Sequence, residues 1–172
     1  VLTAVSVHTF DIQAVANKAA LSVVALMESP EADWAFCSGF VIDTDKGLVV
    51  TADHCLQYGP TVFYVDGQPA EEIFHIPEQD LALLKTTTQK PRIDPTRFPI
   101  APGLEVVGLG YADGQFPVRA IRNVVEQLGV EDGTWTKMAL SAVVSGMSGG
   151  PWVAADGGVA GIIQFTQVAP PD

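Results

Sequence analysis

Short apolar runs rich in β-branched residues recur along the chain, and turn-forming residues separate them. The runs predict nine strands, at Leu21–Met27, Phe36–Ile42, Leu48–Ala52, Val62–Val65, Leu81–Lys85, Val106–Leu109, Ala120–Val125, Thr134–Leu140 and Val159–Phe165. Asp-Gly pairs favour hairpin turns because both residues tolerate a positive φ. Four such pairs lie between apolar segments, at Asp66-Gly67, Asp113-Gly114, Asp132-Gly133 and Asp156-Gly157. Many short strands at this spacing favour a closed β architecture, because a barrel leaves no exposed sheet edge.

Two further segments interrupt the strand pattern. An alanine-rich stretch at Asp11–Ala20 predicts one helix, with Asp11 as its N-cap. The segment Thr86–Gly103 holds four prolines and three consecutive threonines without strand-like alternation, which indicates an ordered linker. We therefore expect an all-β protein of two tandem six-stranded β-barrels with a short N-terminal helix. Residues 1–87 would form the helix and first barrel, 88–102 the linker and 103–172 the second barrel.

Composition narrows the class of protein. The chain has 172 residues, 48% of them hydrophobic and 17% charged, which is typical of a globular protein with its own core. Its net charge of −11 and its scattered basic residues argue against binding nucleic acid, since phosphate recognition requires clustered lysines and arginines. The longest uncharged run, Met138–Ala155, is interrupted by glycines and a proline, so we expect no membrane span. The sequence begins at Val1 without a basic leader, so we expect a mature or trimmed chain.

A glycine-rich loop, Gly146–Pro151, contains a serine suited to nucleophilic chemistry. Glycines around Ser148 allow a tight turn that exposes its Oγ while backbone N–H groups converge nearby, although glycines alone also fit a plain turn. The loop also contains the G-x-S-x-G pattern of α/β-hydrolases. That fold requires a histidine after the serine, and here all three histidines precede Ser148. The α/β-hydrolase alternative is therefore excluded.

A histidine and an aspartate stand beside apolar runs. His54 follows the run at Leu48–Val50, and Asp80 immediately precedes the run that starts at Leu81. One polar residue at a strand end is more often structural, but the order His, Asp, Ser suits a nucleophilic triad. Asp53 is a second candidate acid, which we rank below Asp80 because adjacent side chains rarely face each other.

These three segments resemble the motifs of chymotrypsin-fold serine endopeptidases. The T-A-D-H-C at residues 51–55 is similar to the family's T-A-A-H-C, and D-L-A-L-L-K at residues 80–85 is similar to its D-I-A-L-L-K. The G-M-S-G-G-P at residues 146–151 matches the family's G-x-S-G-G-P. The helix before the first strand, and S-G-F-V-I-D at residues 38–43, resemble the HtrA-like bacterial branch.

The resemblance implies a role for each of these residues. Ser148 would be the nucleophile, His54 the general base and acid, and Asp80 the group that orients His54. The backbone N–H groups of Gly146 and Ser148 would form the oxyanion hole. The family needs no cofactor and no metal, so we expect neither.

The resemblance also bears on the two cysteines. Cys37 stands where the family places the partner of the cysteine after the catalytic histidine, which is Cys55 here. We therefore expect a Cys37–Cys55 disulfide, with two free buried thiols as the alternative. Because disulfides persist in oxidising compartments, this bond implies a secreted or periplasmic protein.

Substrate-binding positions follow from the same resemblance. They lie in the segment leading into Ser148 and in the strand where the family has S-W-G. They are Ala142, Val143, Ser145, Gln164, Phe165 and Thr166. A trypsin-like pocket requires an aspartate where Ala142 stands, so we expect a small apolar pocket and cleavage after small or aliphatic residues.

The residue before the nucleophile departs from the chymotrypsin pattern. Chymotrypsin-type zymogens carry an aspartate directly before the nucleophile, which pairs with the newly cut N-terminus, whereas this chain has Met147. Activation through that ion pair is therefore not expected. The HtrA-like branch also lacks this aspartate, so its loss does not argue against activity.

Two classes of function fit these motifs. The first is a serine endopeptidase that cleaves polypeptides through an acyl-enzyme, and the second is a catalytically silent pseudo-protease that only binds peptides. The complete set of triad and oxyanion residues favours the first. Of the remaining residues, we expect His8 on the surface and His75 in a loop near Asp80. We expect Trp34, Trp135 and Trp152 in the core or at the barrel ends.

Overall fold

The structure is a computed structural model that describes residues 11–130, 135–139 and 143–164. Its helices and strands, in chain order, are α1 (Ile12–Ala20), β1 (Val23–Met27), β2 (Cys37–Asp43), β3 (Leu48–Thr51), α2 (Asp53–Gln57), β4 (Tyr64–Val65), β5 (Gln68–Pro69), β6 (Glu71–Ile76), β7 (Leu81–Lys85), β8 (Glu105–Gly110), β9 (Arg119–Gly129), β10 (Trp135–Met138), β11 (Pro151–Ala154) and β12 (Val159–Ile162). Neither helix in these ranges is long and apolar enough to cross a membrane.

The strands of the described residues form two antiparallel sheets. The first has seven strands in the order β5-β4-β1-β2-β3-β7-β6, and the second has five in the order β10-β9-β8-β11-β12. Each sheet curls into a half-barrel. The expected all-β fold of two barrels with a short N-terminal helix is confirmed, with seven and five described strands rather than six in each.

Helix α1 begins as the sequence predicts. Asp11 has an extended backbone, and its Oδ1 accepts a hydrogen bond from the N–H of Ala14 at 3.1 Å. This satisfies one of the N–H groups that the first turn of a helix leaves without an intrahelical partner. The inner face of the helix, with Ala16 and Ala19, is buried against the sheets.

The Asp-Gly pairs occupy turns, but only some of them close simple hairpins. Asp66 and Gly67 join β4 to β5 with φ of 50° and 82°, as the sequence predicts. Gly157 has φ of 81° between β11 and β12. Asp113 and Gly114 also have positive φ, within a longer connection from β8 to β9 that includes a 3-10 turn. The fourth pair, Asp132-Gly133, lies outside the described residues.

The main apolar core lies where helix α1 and both sheets meet. It includes Ala16 and Ala19 of the helix, Val23, Ala25, Phe40 and Val50 of the first sheet, and Val107, Leu109 and Val153 of the second. Burial of this shared surface holds the two sheets against each other. It also fixes the relative positions of the loops that carry the candidate site.

Candidate active site

A cleft of about 950 Å³ brings the three predicted triad residues together. His54, Asp80 and Ser148 all line it, together with Ser145 and Gly146 of the serine loop. His54 lies on the five-residue helix α2, which directly follows β3, and Asp80 immediately precedes β7, the strand paired with β3. The first sheet therefore brings two residues 26 positions apart into contact.

Asp80 holds His54 through both of its carboxylate oxygens. Oδ1 accepts a hydrogen bond from the His54 backbone N–H at 2.7 Å, and Oδ2 lies 2.6 Å from the ring Nδ1. An ionised carboxylate can only accept hydrogen bonds, so the Nδ1 atom must carry a proton. The other ring nitrogen, Nε2, is then the one left for proton exchange in the cleft.

The backbone at Asp80 adopts an unusual conformation. Its φ of 50° and ψ of 51° place it in the left-handed region, which costs most L-residues about 1–2 kcal/mol. Aspartate tolerates this region better than most residues. The conformation ends the 3-10 turn at Pro77–Gln79 and leads the chain from β6 into β7.

Ser148 lies in a turn that requires glycine on both sides. Gly146 and Gly149 have φ of 92° and 89°, and a Cβ on either would approach backbone atoms to less than 3 Å. Gly149 N–H donates to the Ile163 carbonyl at 2.8 Å, and Ile163 N–H donates to the Gly150 carbonyl at 2.7 Å. This exchange ties the serine loop to the end of the second sheet.

The peptide before Gly146 has a fixed orientation. The carbonyl of Ser145 accepts a hydrogen bond from Asp113 N–H at 2.6 Å, so the N–H of Gly146, on the same peptide, points the opposite way. Within the described part of the chain, the N–H groups of Gly146 and Ser148 donate to no protein acceptor. Both residues line the cleft, so these two donors remain for a ligand there.

Ser38, at the start of β2, anchors the serine loop to the first sheet. Its buried hydroxyl donates to the Gly146 carbonyl at 2.8 Å and accepts from Tyr111 N–H at 2.9 Å. Its backbone N–H donates to the Ser148 carbonyl at 2.8 Å, and its carbonyl accepts from the Thr51 hydroxyl at 2.7 Å. Sequence reasoning noted Ser38 only as part of a strand motif, because its partners Tyr111, Gly146 and Ser148 are 73 to 110 residues away along the chain.

No hydrogen bond joins the Ser148 hydroxyl to the His54 ring among the described residues. Without a ligand, hydrogen bonds of this kind are often long or misaligned and tighten only when substrate binds. The two side chains nevertheless line the same cleft.

The expected disulfide is confirmed. Cys37 and Cys55 are bonded, with Cα atoms 6.0 Å apart, and both are buried in the core of the first sheet. The bond joins β2 to helix α2, and the Cys55 sulfur lies 3.7 Å from the Ser148 carbonyl oxygen. It therefore lies directly beneath the loops that carry His54 and Ser148.

Met147 is fully buried in an apolar cluster. It packs with Val106, Ala112, Trp152 and Ile163, in the core of the second sheet. The position at which chymotrypsin-type zymogens need a charged residue is therefore held here by apolar packing.

Asp53, the second candidate acid, does not contact the His54 ring. Its buried carboxylate lies 2.8 Å from Nδ1 of His75, and Glu72 lies 3.2 Å from the same nitrogen. His75 was expected in a loop, which is wrong, because it lies in β6 opposite Ala82. The hydrogen bond to Asp53 raises the pKa of His75, against a smaller opposing effect of desolvation, and Glu72 adds to the increase.

Two groups of side chains in the described residues have atoms close enough to share a metal ion. One is Asp53, Glu72 and His75, whose arrangement is already explained by the hydrogen bond between His75 and Asp53 and the ion pair between His75 and Glu72. The other is Cys37, His54 and Cys55, in which the disulfide occupies both sulfurs.

The expected substrate-binding residues are only partly within the described structure. Val143 and Val144 are half-buried and contact the apolar cluster around Met147, while Ser145 lines the cleft. The amide of Gln164 donates to the backbone carbonyls of Gln79 and Asp80. Ala142, Phe165 and Thr166 lie outside the described residues.

Several residues that line the cleft were not assigned to it by sequence reasoning. They are Glu28, Trp34, Phe36, Tyr58 and Pro60. Trp34 is 42% exposed and therefore does not lie in the core, whereas Trp152 is buried as expected. The side chain of Trp135 lies outside what the structure describes.

Two curled antiparallel sheets that bring a His–Asp pair and a glycine-flanked serine to one cleft are the arrangement of the chymotrypsin fold. The chain belongs to the trypsin-like peptidase domain family, whose model matches residues 37–162. This confirms the family expected from the motifs.

Solved structures agree with this fold. A serine endoprotease from Yersinia pestis aligns with a TM-score of 0.73 and 22% identity over 88% of this chain. The chain spans 56% of the length of that protein. Rv3671c from M. tuberculosis, solved as an inactive serine-to-alanine mutant, aligns with a TM-score of 0.71 and 23% identity, covering 90% of this chain and 79% of its own. No curated protein sequence matches the chain significantly.

Proposed function

We propose that the protein hydrolyses peptide bonds through a triad of Ser148, His54 and Asp80. The observation that carries the proposal is the pair of contacts between Asp80 and His54. One carboxylate oxygen of Asp80 accepts from the His54 backbone N–H, and the other contacts the ring Nδ1 and so defines the tautomer of the ring. A merely structural histidine at this position would need no second anchor through its backbone N–H. The shared cleft with Ser148 adds to this support.

In the proposed reaction, Ser148 Oγ attacks the substrate carbonyl carbon while His54 Nε2 takes its proton. The carbonyl oxygen becomes an oxyanion, which the N–H groups of Gly146 and Ser148 stabilise. His54 then gives the proton to the leaving amine, which departs and leaves an acyl-enzyme. Water attacks this ester by the same route, with His54 as base, and releases the acid and free Ser148. Asp80 stabilises the imidazolium in both halves and is not itself protonated.

The proposed substrates are polypeptides with a small or aliphatic residue before the scissile bond. The half-buried, uncharged Val143 and Val144 support an apolar pocket. A buried unpaired charge costs several kcal/mol, so we expect Ala, Val and Leu there to be preferred over Lys, Arg, Asp and Glu. A peptide-library cleavage profile tests this, and dominance of a charged residue would contradict it.

The proposed location is outside the cytoplasm, in a secreted or periplasmic compartment. The Cys37–Cys55 disulfide supports it, because cytosolic thiols are normally kept reduced.

Labelling with a fluorophosphonate probe tests the proposed function directly. We expect a mass increase on Ser148 in the wild-type protein and none in Ser148→Ala, with unchanged circular dichroism in both. A wild-type protein that stays unlabelled but binds peptides in the cleft would instead be a pseudo-protease. Among the described residues, the absence of a hydrogen bond between the Ser148 hydroxyl and the His54 ring is the observation that favours this alternative.

A further inference from the structure

The side chain of Gln164 links the second sheet to the Asp80 turn of the first. Its Nε2 donates to the Gln79 carbonyl at 2.7 Å and to the Asp80 carbonyl at 2.9 Å. These partners lie 85 and 84 residues earlier in the chain. A primary amide has two N–H donors, and both are used here on neighbouring carbonyls of one turn.

The residue before Gln164 contacts the nucleophile loop. Ile163 exchanges two backbone hydrogen bonds with that loop, one with Gly149 at 2.8 Å and one with Gly150 at 2.7 Å. Two consecutive residues therefore hold the loop of Ser148, through backbone groups, and the turn of Asp80, through a side chain. The distance between these two loops depends on this pair.

The turn that Gln164 contacts has a strained backbone that contacts from other segments must stabilise. Asp80 has a left-handed backbone, and a conformation of this kind persists only where surrounding contacts hold it. Any rotation of the turn would move the carboxylate that grips His54. A misplacement of about 1 Å at a reacting group can cost roughly 10²-fold in rate.

From this juxtaposition we infer that Gln164 is a positioning residue, which holds the acid turn in register with the nucleophile loop. The inference rests on the proposed function and deepens it. Gln164 contacts only backbone carbonyls of the turn, so it acts through Asp80 rather than on the substrate's reacting atoms. The resemblance in sequence predicted this residue only as a substrate-binding position.

The required chemistry is specific to glutamine at this position. Methionine has the same length but no donor, and glutamate has the same shape but would place a carboxylate against two carbonyl oxygens. A matched control exists in Gln13, an exposed residue of α1 that does not line the cleft and whose amide donates to Asn17 at 2.8 Å. Gln13→Met makes the same chemical change without touching the turn.

The test compares the wild type, Gln164→Met, Gln164→Glu and Gln13→Met in two readouts. The first is kcat and KM on a peptide substrate, together with the rate of fluorophosphonate labelling. The second is the downfield proton NMR signal of the His54 Nδ1–H that bonds Asp80, which needs no catalysis. We expect both Gln164 variants to lose about 10- to 100-fold in kcat, with a smaller change in KM and a shifted or broadened signal, and Gln13→Met to match the wild type.

The outcomes separate the inference from the proposed function. If the wild type labels and the Gln164 variants keep its kcat and its NMR signal, the inference is wrong even if their melting temperatures fall. If the wild type does not label, the proposed function fails, and the NMR signal alone decides the inference. An unshifted signal in the folded Gln164 variants would then overturn it.

Discussion

Removing the hydroxyl of Ser38 should destabilise the protein far more than the loss of one small side-chain group suggests. The hydroxyl is fully buried, and Ser38→Ala would leave the Gly146 carbonyl and the Tyr111 N–H without their partner. A buried backbone group without a hydrogen bond costs roughly 1–3 kcal/mol. Two such groups give about 3 kcal/mol, which corresponds to a fall in Tm of roughly 6–12 °C for a chain of this size.

The assay is a thermal melt of Ser38→Ala beside Ser148→Ala, with the disulfide intact. The second variant removes the same atom from a hydroxyl that has no hydrogen bond within the described residues, so it should melt within roughly 2 °C of the wild type. Ser38→Ala should also label more slowly with a fluorophosphonate, by up to roughly 10²-fold, because the serine loop loses the hydrogen bond that anchors the Gly146 carbonyl. If the two variants melt at the same temperature, Ser38 does not hold the serine loop in the way the hydrogen bonds indicate.

Three further predictions follow from the site. Asp80→Asn should lower kcat by about 10⁴-fold with the fold intact, because the His54 ring loses its correct tautomer. Asp53→Asn should change kcat only slightly. If kinetics show the reverse, Asp53 rather than Asp80 is the acid of the triad. Reducing the bond between Cys37 and Cys55, which are 18 positions apart, should lower the free energy of unfolding by about 3 kcal/mol and reduce activity before the fold melts. Alkylation of two free thiols in freshly isolated, unreduced protein would contradict the bond. The pKa of His75 is raised in the folded state, so its pairing with Asp53 stabilises the protein fully below about pH 6.5. This stabilisation is lost as the pH rises through the raised pKa. If the Tm of the wild type and that of His75→Gln change in parallel between about pH 5 and 9, the prediction is wrong.

The strands with a clear apolar pattern could be predicted from the sequence, and those without one could not. β7 lies at Leu81–Lys85 as predicted, because its fully buried residues alternate with half-buried or exposed ones. β6 was missed because five of its six residues are exposed at the edge of the sheet, so it has no apolar face to detect. β11 was missed because it starts at Pro151 and is buried throughout, without alternation.

The candidate site shows the same division. The positions of His54, Asp80 and Ser148 follow from short motifs whose spacing along the chain is visible in the sequence. The partner of Asp53 could not be predicted, because His75 reaches it only through the register of β6 against β7. The aspartate in place of the second alanine of T-A-A-H-C was the one available signal, since a buried charge needs a partner.

The burial of Met147 bears on how the serine loop responds to alkaline conditions. An ion pair between an aspartate and an α-amino group fails when the amine, with an ordinary pKa of about 7.7–8.0, loses its proton. Thioether packing against Trp152 and Ile163 carries no proton to lose. The packing of this residue therefore does not depend on pH. An alkaline medium that would break the ion pair of an ion-paired peptidase leaves the contacts of Met147 unchanged.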